Sequence, residues 1–240
     1  MVDGMVTKIY AHRGASRDYP EHTLQAYLGA IEQGADGFEC DVRLTKDGIA
    51  VLWHDADMKR ATKYLGLVAG MTFKEVQSKY PNVMLLSDLI ELAIENKKDL
   101  AIETKHPVPS GHDIEREIAK QFISRRSAIV ESGIEISVIS FSWLAIEYFS
   151  QLHLPLNLVM LLNLKTGKLA SRFTSANSLG PNVKEYKKNP NFYREAQKNG
   201  KRIFVWTVDD QSDLAFCAQN GVDVVITNKP GRASKTLGYP

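Results

Sequence analysis

The chain has 240 residues, of which 44% are hydrophobic and 24% are charged, and its formal net charge is +2. This composition can build a folded core and excludes a disordered chain, and the length suits one large domain or two small ones. A charge so close to neutral does not indicate a nucleic-acid or membrane-surface partner, and without an apolar run of about 18 residues we expect no membrane span.

Short apolar strands alternate with helical segments along most of the chain. The predicted strands are Lys8–His12, Gly37–Leu44, Leu100–Lys105, Ile136–Phe141, Asn157–Leu162, Ser178–Val183, Ile203–Val208 and Val222–Thr227, the sixth with the weakest pattern. The predicted helices are Thr23–Gln33, Asp88–Asn96, Asp113–Arg125, Trp143–Gln151, Asn191–Lys198 and Ser212–Gln219. Three helical patterns end in a glycine that precedes a strand, as a C-terminal cap does: Gly34, Gly200 and Gly221.

The alternation of strands and helices predicts an α/β protein with a parallel sheet. Eight such units within 240 residues favour a (β/α)8 TIM barrel in a single domain, residues 1–240. An open doubly wound sheet is the alternative, although no G-x-G-x-x-G follows the first strand. Residues 56–86 do not fit the alternation, so we expect a small insertion over the barrel mouth with a short helix at Phe73–Ser78.

The second predicted strand carries acids where a buried strand usually has apolar side chains. Alternation places Glu39, Asp41 and Arg43 on one face, and the apolar residues between them on the other. The apolar face would meet the helices, so the charged face would point into the barrel. Buried carboxylates are costly unless they are compensated, by a structural ion-pair network or by a functional site.

A turn signal follows this strand. Asp47-Gly48 predicts a two-residue hairpin in which Lys46 pairs with Ile49, and that register sets His54 opposite Asp41. Two carboxylates and an imidazole at one place favour the functional site over the structural network. The hairpin arm is additional to the eight parallel strands, because a tight turn cannot join parallel neighbours.

The ends of two other strands complete this candidate site. Glu103 and Lys105 share a face at the end of the next barrel strand, where barrel enzymes keep their chemistry, and the first strand ends in His12 and Arg13. Three carboxylates form an oxygen-rich site that suits Mg²⁺ or Ca²⁺ better than Zn²⁺. Together with His54, His12 supplies a pair of imidazoles for acid–base chemistry, and the two cations can hold a phosphate.

At this level of detail the sequence resembles the glycerophosphodiester phosphodiesterases of the bacterial, cytoplasmic type. The matching motifs span residues 8 to 230 and comprise His12-Arg13-Gly14, Pro20-Glu21-His22-Thr23, Gly34-Ala35-Asp36, Glu39-x-Asp41-Val42-x-x-Thr45-x-Asp47-Gly48, His54-Asp55, Glu103-x-Lys105, Ser140-Phe141 and Trp206-Thr207-Val208. Two positions depart from the usual family motifs Pro-Glu-Asn-Thr and Ile-Thr-Asp, because this chain has His22 and Asn228 in place of the asparagine and the aspartate.

The resemblance implies a (β/α)8 barrel with an insertion after His54-Asp55. It implies a metal-dependent reaction that cleaves a small-molecule glycerophosphodiester into sn-glycerol 3-phosphate and an alcohol. The implied roles are metal binding by Glu39, Asp41 and Glu103, acid–base catalysis by His12 and His54, phosphate contacts by Arg13 and Lys105, and a pocket wall formed by Trp206. We take His12 as the base and His54 as the acid.

Two alternative functions remain open at this stage. One is a lysophospholipase D-like activity, which would need an apolar groove such as the insertion around residues 64–71 could supply. The other is a barrel that binds a phosphorylated ligand without catalysis. Neither the physiological metal nor the oligomeric state follows from the sequence. Two expected free thiols, Cys40 and Cys217, and an N-terminus without signal-peptide features indicate a cytoplasmic setting.

Overall fold

A computed structural model describes residues 6–108, 111–162 and 171–239. Its strands are β1 (Lys8–His12), β2 (Gly37–Leu44), β3 (Ala50–Leu52), β4 (Asp99–Thr104), β5 (Ile136–Ser140), β6 (Asn157–Leu162), β7 (Ser178–Pro181), β8 (Arg202–Val205) and β9 (Val224–Thr227). They pair in the order β1-β9-β8-β7-β6-β5-β4-β2-β3, and β1 also pairs with β2. The sheet therefore closes, and its eight closing strands are parallel. The predicted (β/α)8 barrel is confirmed.

Helices surround this barrel. They are α1 (Leu24–Glu32), α2 (Lys59–Thr62), α3 (Phe73–Lys79), α4 (Leu86–Glu95), α5 (Asp113–Ser124), α6 (Arg126–Ser132), α7 (Trp143–Gln151), α8 (Val183–Lys188), α9 (Pro190–Lys198), α10 (Gln211–Gln219) and α11 (Pro230–Leu237). All the predicted helices are present. The pattern missed α2, α6, α8 and α11, whose four to eight residues are too few to show a helical period. In the described ranges, no helix has the length and hydropathy needed to cross a bilayer.

Strand alternation divides the core into two layers. The barrel interior is filled by Tyr10, Ala101, Ile139, Val159, Leu161, Phe204, Val224 and Ile226. Side chains on the other face of the strands, Phe38 and Cys40 among them, pack in a larger cluster with the helices. Glu39 and Asp41 are 2% and 0% exposed, and they lie on the inward face as predicted.

The hairpin of β2 and β3 differs by one residue from the predicted register. Val42 pairs with Leu52, and the N–H of Thr45 donates to the carbonyl of Ile49. The loop therefore holds three residues instead of two, and its last residue, Gly48, has φ +78°. This geometry is that of a type I turn followed by a left-handed glycine, the G1 bulge.

The bulge changes the residue that faces Asp41. The N–H of Trp53 donates to the carbonyl of Asp41 at 2.9 Å, so the prediction that the register sets His54 opposite Asp41 is wrong. His54 instead follows β3, and its carbonyl accepts a hydrogen bond from Arg43 Nε at 3.0 Å. A one-residue slip exchanges the two faces of a strand, which explains why Trp53 packs under the insertion.

The insertion has a small core of its own. Helix α3 begins at Phe73 as predicted and has a capping box formed by Thr72 and Glu75. Beneath it a cluster of buried side chains surrounds Trp53, and consists of Val51, Met58, Val68, Met71, Val76 and Val83. Arg60 from α2 reaches the loop after β1, where it contacts Glu21 at 2.6 Å. The insertion thus lies at the carboxyl end of the barrel.

Gly14 lies where the loop after β1 approaches the backbone of α1 closely. It has φ +83°, and a Cβ there would lie 2.6 Å from the carbonyl carbon of Ala26. Gly133 has a similar φ of +74° with nothing within 4 Å of the added Cβ. We expect Gly133→Ala to cost about 1–2 kcal/mol of unfolding free energy from backbone strain alone. Gly14→Ala should cost about 1–3 kcal/mol more because of the clash.

Urea denaturation of both variants measures this difference. Equal losses at the two positions would contradict the close approach of the β1 loop to α1.

Candidate active site

Parallel pairing of neighbouring strands assembles a pocket at their carboxyl ends. His12 is in register with Glu39, and Asp41 is in register with Glu103. The pocket has a volume of about 130 Å³ and is lined by His12, Arg13, Glu39, His54, Glu103, Lys105, Ile139, Phe141, Leu161, Trp206, Thr207 and Ile226. Seven of the eight predicted site residues are therefore in its wall, and the eighth, Asp41, contacts two of them.

The three acids form a compact carboxylate trio, Glu39, Asp41 and Glu103. One oxygen from each lies within 4.8 Å of the others. Arg13 Nε is 2.9 Å from Asp41 Oδ2, and Lys105 Nζ is 3.2 Å from Asp41 Oδ1 and 2.7 Å from Glu103 Oε1. Both cations are thus held against the trio and face the pocket.

The positive charge around the trio is too small to keep all three acids ionised. Burial and the charge of Asp41 raise the pKa of Glu39 well above its usual range and that of Glu103 to about 7. Burial also opposes ionisation of Asp41, but His22, by hydrogen bond and charge, and the two nearby cations outweigh it and hold that pKa well below its usual range. A divalent cation would lower the two raised pKa values, and all-oxygen donors suit a hard ion. The trio therefore fits a divalent metal.

His12 is oriented from behind by an amide. Its Nδ1 lies 2.7 Å from Asn228 Oδ1, and Asn228 Nδ2 donates to Asp209 Oδ2 at 2.7 Å. Because the Asp209 carboxylate can only accept, the amide of Asn228 must present its oxygen to His12. Nδ1 of His12 therefore carries the proton, and Nε2 offers a lone pair on the pocket side. Burial and the charge of Arg13 lower the pKa of His12 to about 4.

His54 has a charged partner instead. Its Nδ1 donates to Asp55 Oδ1 at 2.7 Å, and Asp55 Oδ2 accepts from Arg60 Nε at 2.6 Å. Arg60 also binds Glu21, which in turn contacts Arg13 at 3.2 Å. This chain of ion pairs joins His54 to Arg13 through the insertion. Burial lowers the pKa of His54, while the charge of Asp41 and the bond to Asp55 oppose that shift.

His22, one of the two departures from the family motif, lies under the trio. It is 3% exposed, with Nε2 at 3.0 Å from Asp41 Oδ2 and Nδ1 at 3.0 Å from the hydroxyl of Tyr27. Tyr27 donates onward to the carbonyl of Glu39 at 3.3 Å. Both departures therefore contact the candidate machinery: His22 holds a carboxylate, and Asn228 holds a histidine.

An apolar wall faces the charged groups. Phe141 and Trp206 meet edge to face with ring centroids 5.4 Å apart, and Trp206 Nε1 donates to the carbonyl of Gly180 at 2.8 Å. The hydrogen bond fixes the indole as a side of the pocket. His106 lies outside this lining, and its Nε2 is 2.7 Å from the buried carboxylate of Glu115.

Sequence reasoning left several supporting residues without a role. Glu21 and Asn228 stand in the quoted motifs, which marked their positions but not their partners. Arg60 and Asp209 had no signal at all, because their partners lie 39 and 19 residues away along the chain. Asp55 follows His54 directly, and adjacency was the clue that could have linked them.

A parallel barrel with carboxylates, two histidines and two cations at its strand ends is typical of metal-assisted phosphoester hydrolases. Residues 12–232 match the glycerophosphoryl diester phosphodiesterase family. The chain is 32% identical to the probable glycerophosphodiester phosphodiesterase 1 of Mycobacterium tuberculosis, over 95% of this chain and 92% of that one. It is 31% identical to the glycerophosphodiester phosphodiesterase of Caldanaerobacter subterraneus, over 94% and 96%.

Solved structures agree with these relatives. The crystal structure of a glycerophosphodiester phosphodiesterase from Thermotoga maritima superposes with a TM-score of 0.81 at 26% identity, covering 95% of this chain and 97% of that one. The chain belongs to the glycerophosphoryl diester phosphodiesterase family. The predictions of this family, of the barrel and of a phosphodiesterase enzyme of this class are confirmed.

Metal binding can be tested through stability. We expect Mg²⁺ or Ca²⁺ at a hundredfold excess over its Kd to raise Tm by about 5–10 °C, because a bound cation stabilises only the folded trio. Glu103→Gln should abolish most of this increase. Glu185→Gln, which removes a buried carboxylate from α8, should retain it. Differential scanning calorimetry with and without metal measures the shifts, and an equal increase in both variants would contradict a metal site at the trio.

Proposed function

We propose that this phosphodiesterase hydrolyses glycerophosphodiesters to sn-glycerol 3-phosphate and an alcohol by two-histidine acid–base catalysis beside a metal. The observation that carries the proposal is the asymmetry of the two histidines around one carboxylate trio. One histidine has a neutral amide partner, and the other has a carboxylate partner.

Glu39, Asp41 and Glu103 would hold the metal, for which Mg²⁺ or Ca²⁺ suits the oxygen donors. Such an ion supplies positive charge to a nonbridging phosphate oxygen and so stabilises the transition state. Arg13 and Lys105 would contact the remaining phosphate oxygens. Their ion pairs with Asp41 support this role, because they orient both cations before substrate binds.

His12 would act as the general base. Its Nε2 lone pair faces the pocket, and its partner Asn228 is an amide without a negative charge. Burial and the charge of Arg13 lower the pKa of His12 to about 4, so the ring is neutral and available to accept a proton. The proton would come from a water molecule or from the neighbouring glycerol hydroxyl of the substrate. Asp209 maintains the amide orientation on which this tautomer depends.

His54 would act as the general acid. The carboxylate of Asp55 accepts from Nδ1 and favours the protonated ring, which can then donate from Nε2 to the leaving alkoxide. The pocket wall of Phe141 and Trp206 would shield the reacting phosphate from bulk water. The presence of both oriented histidines speaks against a barrel that only binds a phosphorylated ligand.

We further propose that the insertion and barrel act as one catalytic domain, and that the protein is cytoplasmic. The network from His54 through Arg60 to Arg13 supports the first point. For the location, Cys40 and Cys217 are both buried free thiols, in keeping with a reducing compartment.

The direct test of activity uses glycerophosphocholine and glycerophosphoethanolamine with Mg²⁺, Ca²⁺ or EDTA. We expect release of glycerol 3-phosphate that EDTA abolishes and added metal restores. Lysophosphatidylcholine in the same assay tests the lysophospholipase D alternative. Absence of metal-dependent release from the two glycerophosphodiesters would rule out the proposed reaction.

The two histidine roles can be separated with the leaving group. His12→Ala and His54→Ala should each reduce kcat on glycerophosphocholine by about two or more orders of magnitude, the usual contribution of a general acid or base. A glycerol phosphate p-nitrophenyl diester has a leaving group that needs no proton, so it should restore turnover in His54→Ala but not in His12→Ala. Restoration in His12→Ala alone would reverse the assignment.

A further inference from the structure

A second cavity adjoins the pocket on the side of His54. It has a volume of about 490 Å³ and lies between the β2–β3 hairpin, the insertion, the segment after β4 and helix α5. We call it the hairpin groove and define it by Arg43, Lys46, Ala56, Leu67, Val108 and Arg116. Its size is that of a site for a small organic ligand.

The groove lies beside the catalytic pocket. Three chain segments contribute to both, each with a groove residue two positions after a site residue. Ala56 follows His54 and Pro107 follows Lys105, two residues of the pocket wall. Arg43 follows Asp41, which contacts the wall residues Arg13 and Lys105. Asp41 and Arg43 share one face of β2, where residues two apart are about 6.6–6.8 Å from each other. Arg43 therefore stands about one glycerol length along the strand from Asp41 of the trio.

The walls of the groove are mostly apolar, and two of their four cationic side chains, Arg43 and Lys46, lack a counterion in the described residues. Arg116 and Lys120 are already paired with Asp113 and Glu117 on α5. Within the described parts of the chain, Arg43 and Lys46 form no ion pair; the only side-chain hydrogen bond of Arg43 runs from Nε to the carbonyl of His54. Its two terminal amino groups remain available to a ligand, and such a fork matches phosphate geometry.

The position of Arg43 beside His54 connects it to the leaving group. If His54 protonates the leaving oxygen, as proposed above, the rest of the departing alcohol must extend from that histidine. The groove begins there, and its first charged group is the unpaired guanidinium. A cationic head group such as choline would meet repulsion at this point, whereas an anionic one would complete the ion pair.

We propose that the hairpin groove binds the leaving alcohol, and that Arg43 selects alcohols which carry a second phosphate about three carbons from the ester oxygen. The inference rests on the proposed function and specifies its substrate class. For a diester of two glycerol phosphates, water adds to the phosphorus, the bond from phosphorus to the leaving oxygen breaks, and that oxygen gains a proton. The products are two molecules of glycerol phosphate, one of which departs through the groove.

Two substrates that differ only in the second phosphate test this proposal. One is glycerophosphoglycerol, whose leaving alcohol is glycerol, and the other carries glycerol 3-phosphate as its leaving alcohol. We expect the native enzyme to favour the phosphorylated diester by about tenfold or more in kcat/KM, the effect of a charge-assisted hydrogen bond. Arg43→Met should bring this ratio close to one, and Arg43→Lys should retain part of it.

Arg43→Met also removes the hydrogen bond to the carbonyl of His54, and this loss affects both substrates alike. The ratio of the two kcat/KM values is therefore the measurement that reports on the second phosphate. Lys184→Gln, at an exposed position of α8, is the charge-matched control and should leave the ratio unchanged. A native ratio near or below one, or a ratio that survives Arg43→Met, would overturn the proposal. A strong preference for lysophosphatidylcholine that disappears in Ala69→Phe, whose added ring fills the groove, would also overturn the proposal. In that case an acyl chain would be the ligand of the groove.

Binding distinguishes this inference from the reaction itself. Calorimetric Kd values for both diesters in His12→Ala repeat the comparison without turnover. If neither diester is hydrolysed by the native enzyme but the phosphorylated one binds His12→Ala more tightly through Arg43, the groove proposal stands and the proposed function fails. Equal Kd values would refute the groove proposal even in an active enzyme.

Discussion

The mutual repulsion of three buried carboxylates is the constraint around which this barrel mouth is built. Glu39, Asp41 and Glu103 come from adjacent parallel strands, so the register of the sheet forces their oxygens together. Away from water this arrangement is unfavourable unless positive charge enters it. Arg13 and Lys105 supply part of that charge and take their positions from it. A divalent cation would supply the rest, which links metal binding, phosphate binding and folding of the mouth.

The G1 bulge at Gly48 determines where His54 enters the pocket. With it, Trp53 turns outward to nucleate the core of the insertion, and His54 emerges beyond the strand. The insertion then returns Arg60 to Asp55 and Glu21. The conformation of one turn therefore joins His54, the insertion and Arg13 in one network of ion pairs. Loss of any ion pair in it would loosen both ends of the proposed reaction.

The hydrogen-bond partners of His12 and His54 give the two imidazoles different tendencies to carry a proton. An amide and a carboxylate both accept from Nδ1 of histidine, but the carboxylate carries a negative charge and stabilises the charged ring more strongly. In this chain Asn228 stands where the family usually has an acid, so the difference between His12 and His54 is a property of this sequence. His22, the other departure, adds a hydrogen bond to Asp41 that reinforces its ionised state. Both His22 and Asn228 thus act on proton positions and leave the carboxylate trio unchanged.

Local pattern was enough to favour the barrel over an open sheet, and to predict most helix positions and the face on which each acid lies. Strand period 2 and helix period 3.6 act over a few residues, and the inward placement of Glu39 and Asp41 follows from them. The motifs also identified every residue that lines the charged half of the pocket. Tertiary structure alone decided the bulge at Gly48, the pairing of His12 with Asn228, the Arg60 bridge and the unpaired Arg43 beside the groove. These depend on contacts between segments up to 216 residues apart, whose geometry is set by closure of the barrel and by no local preference.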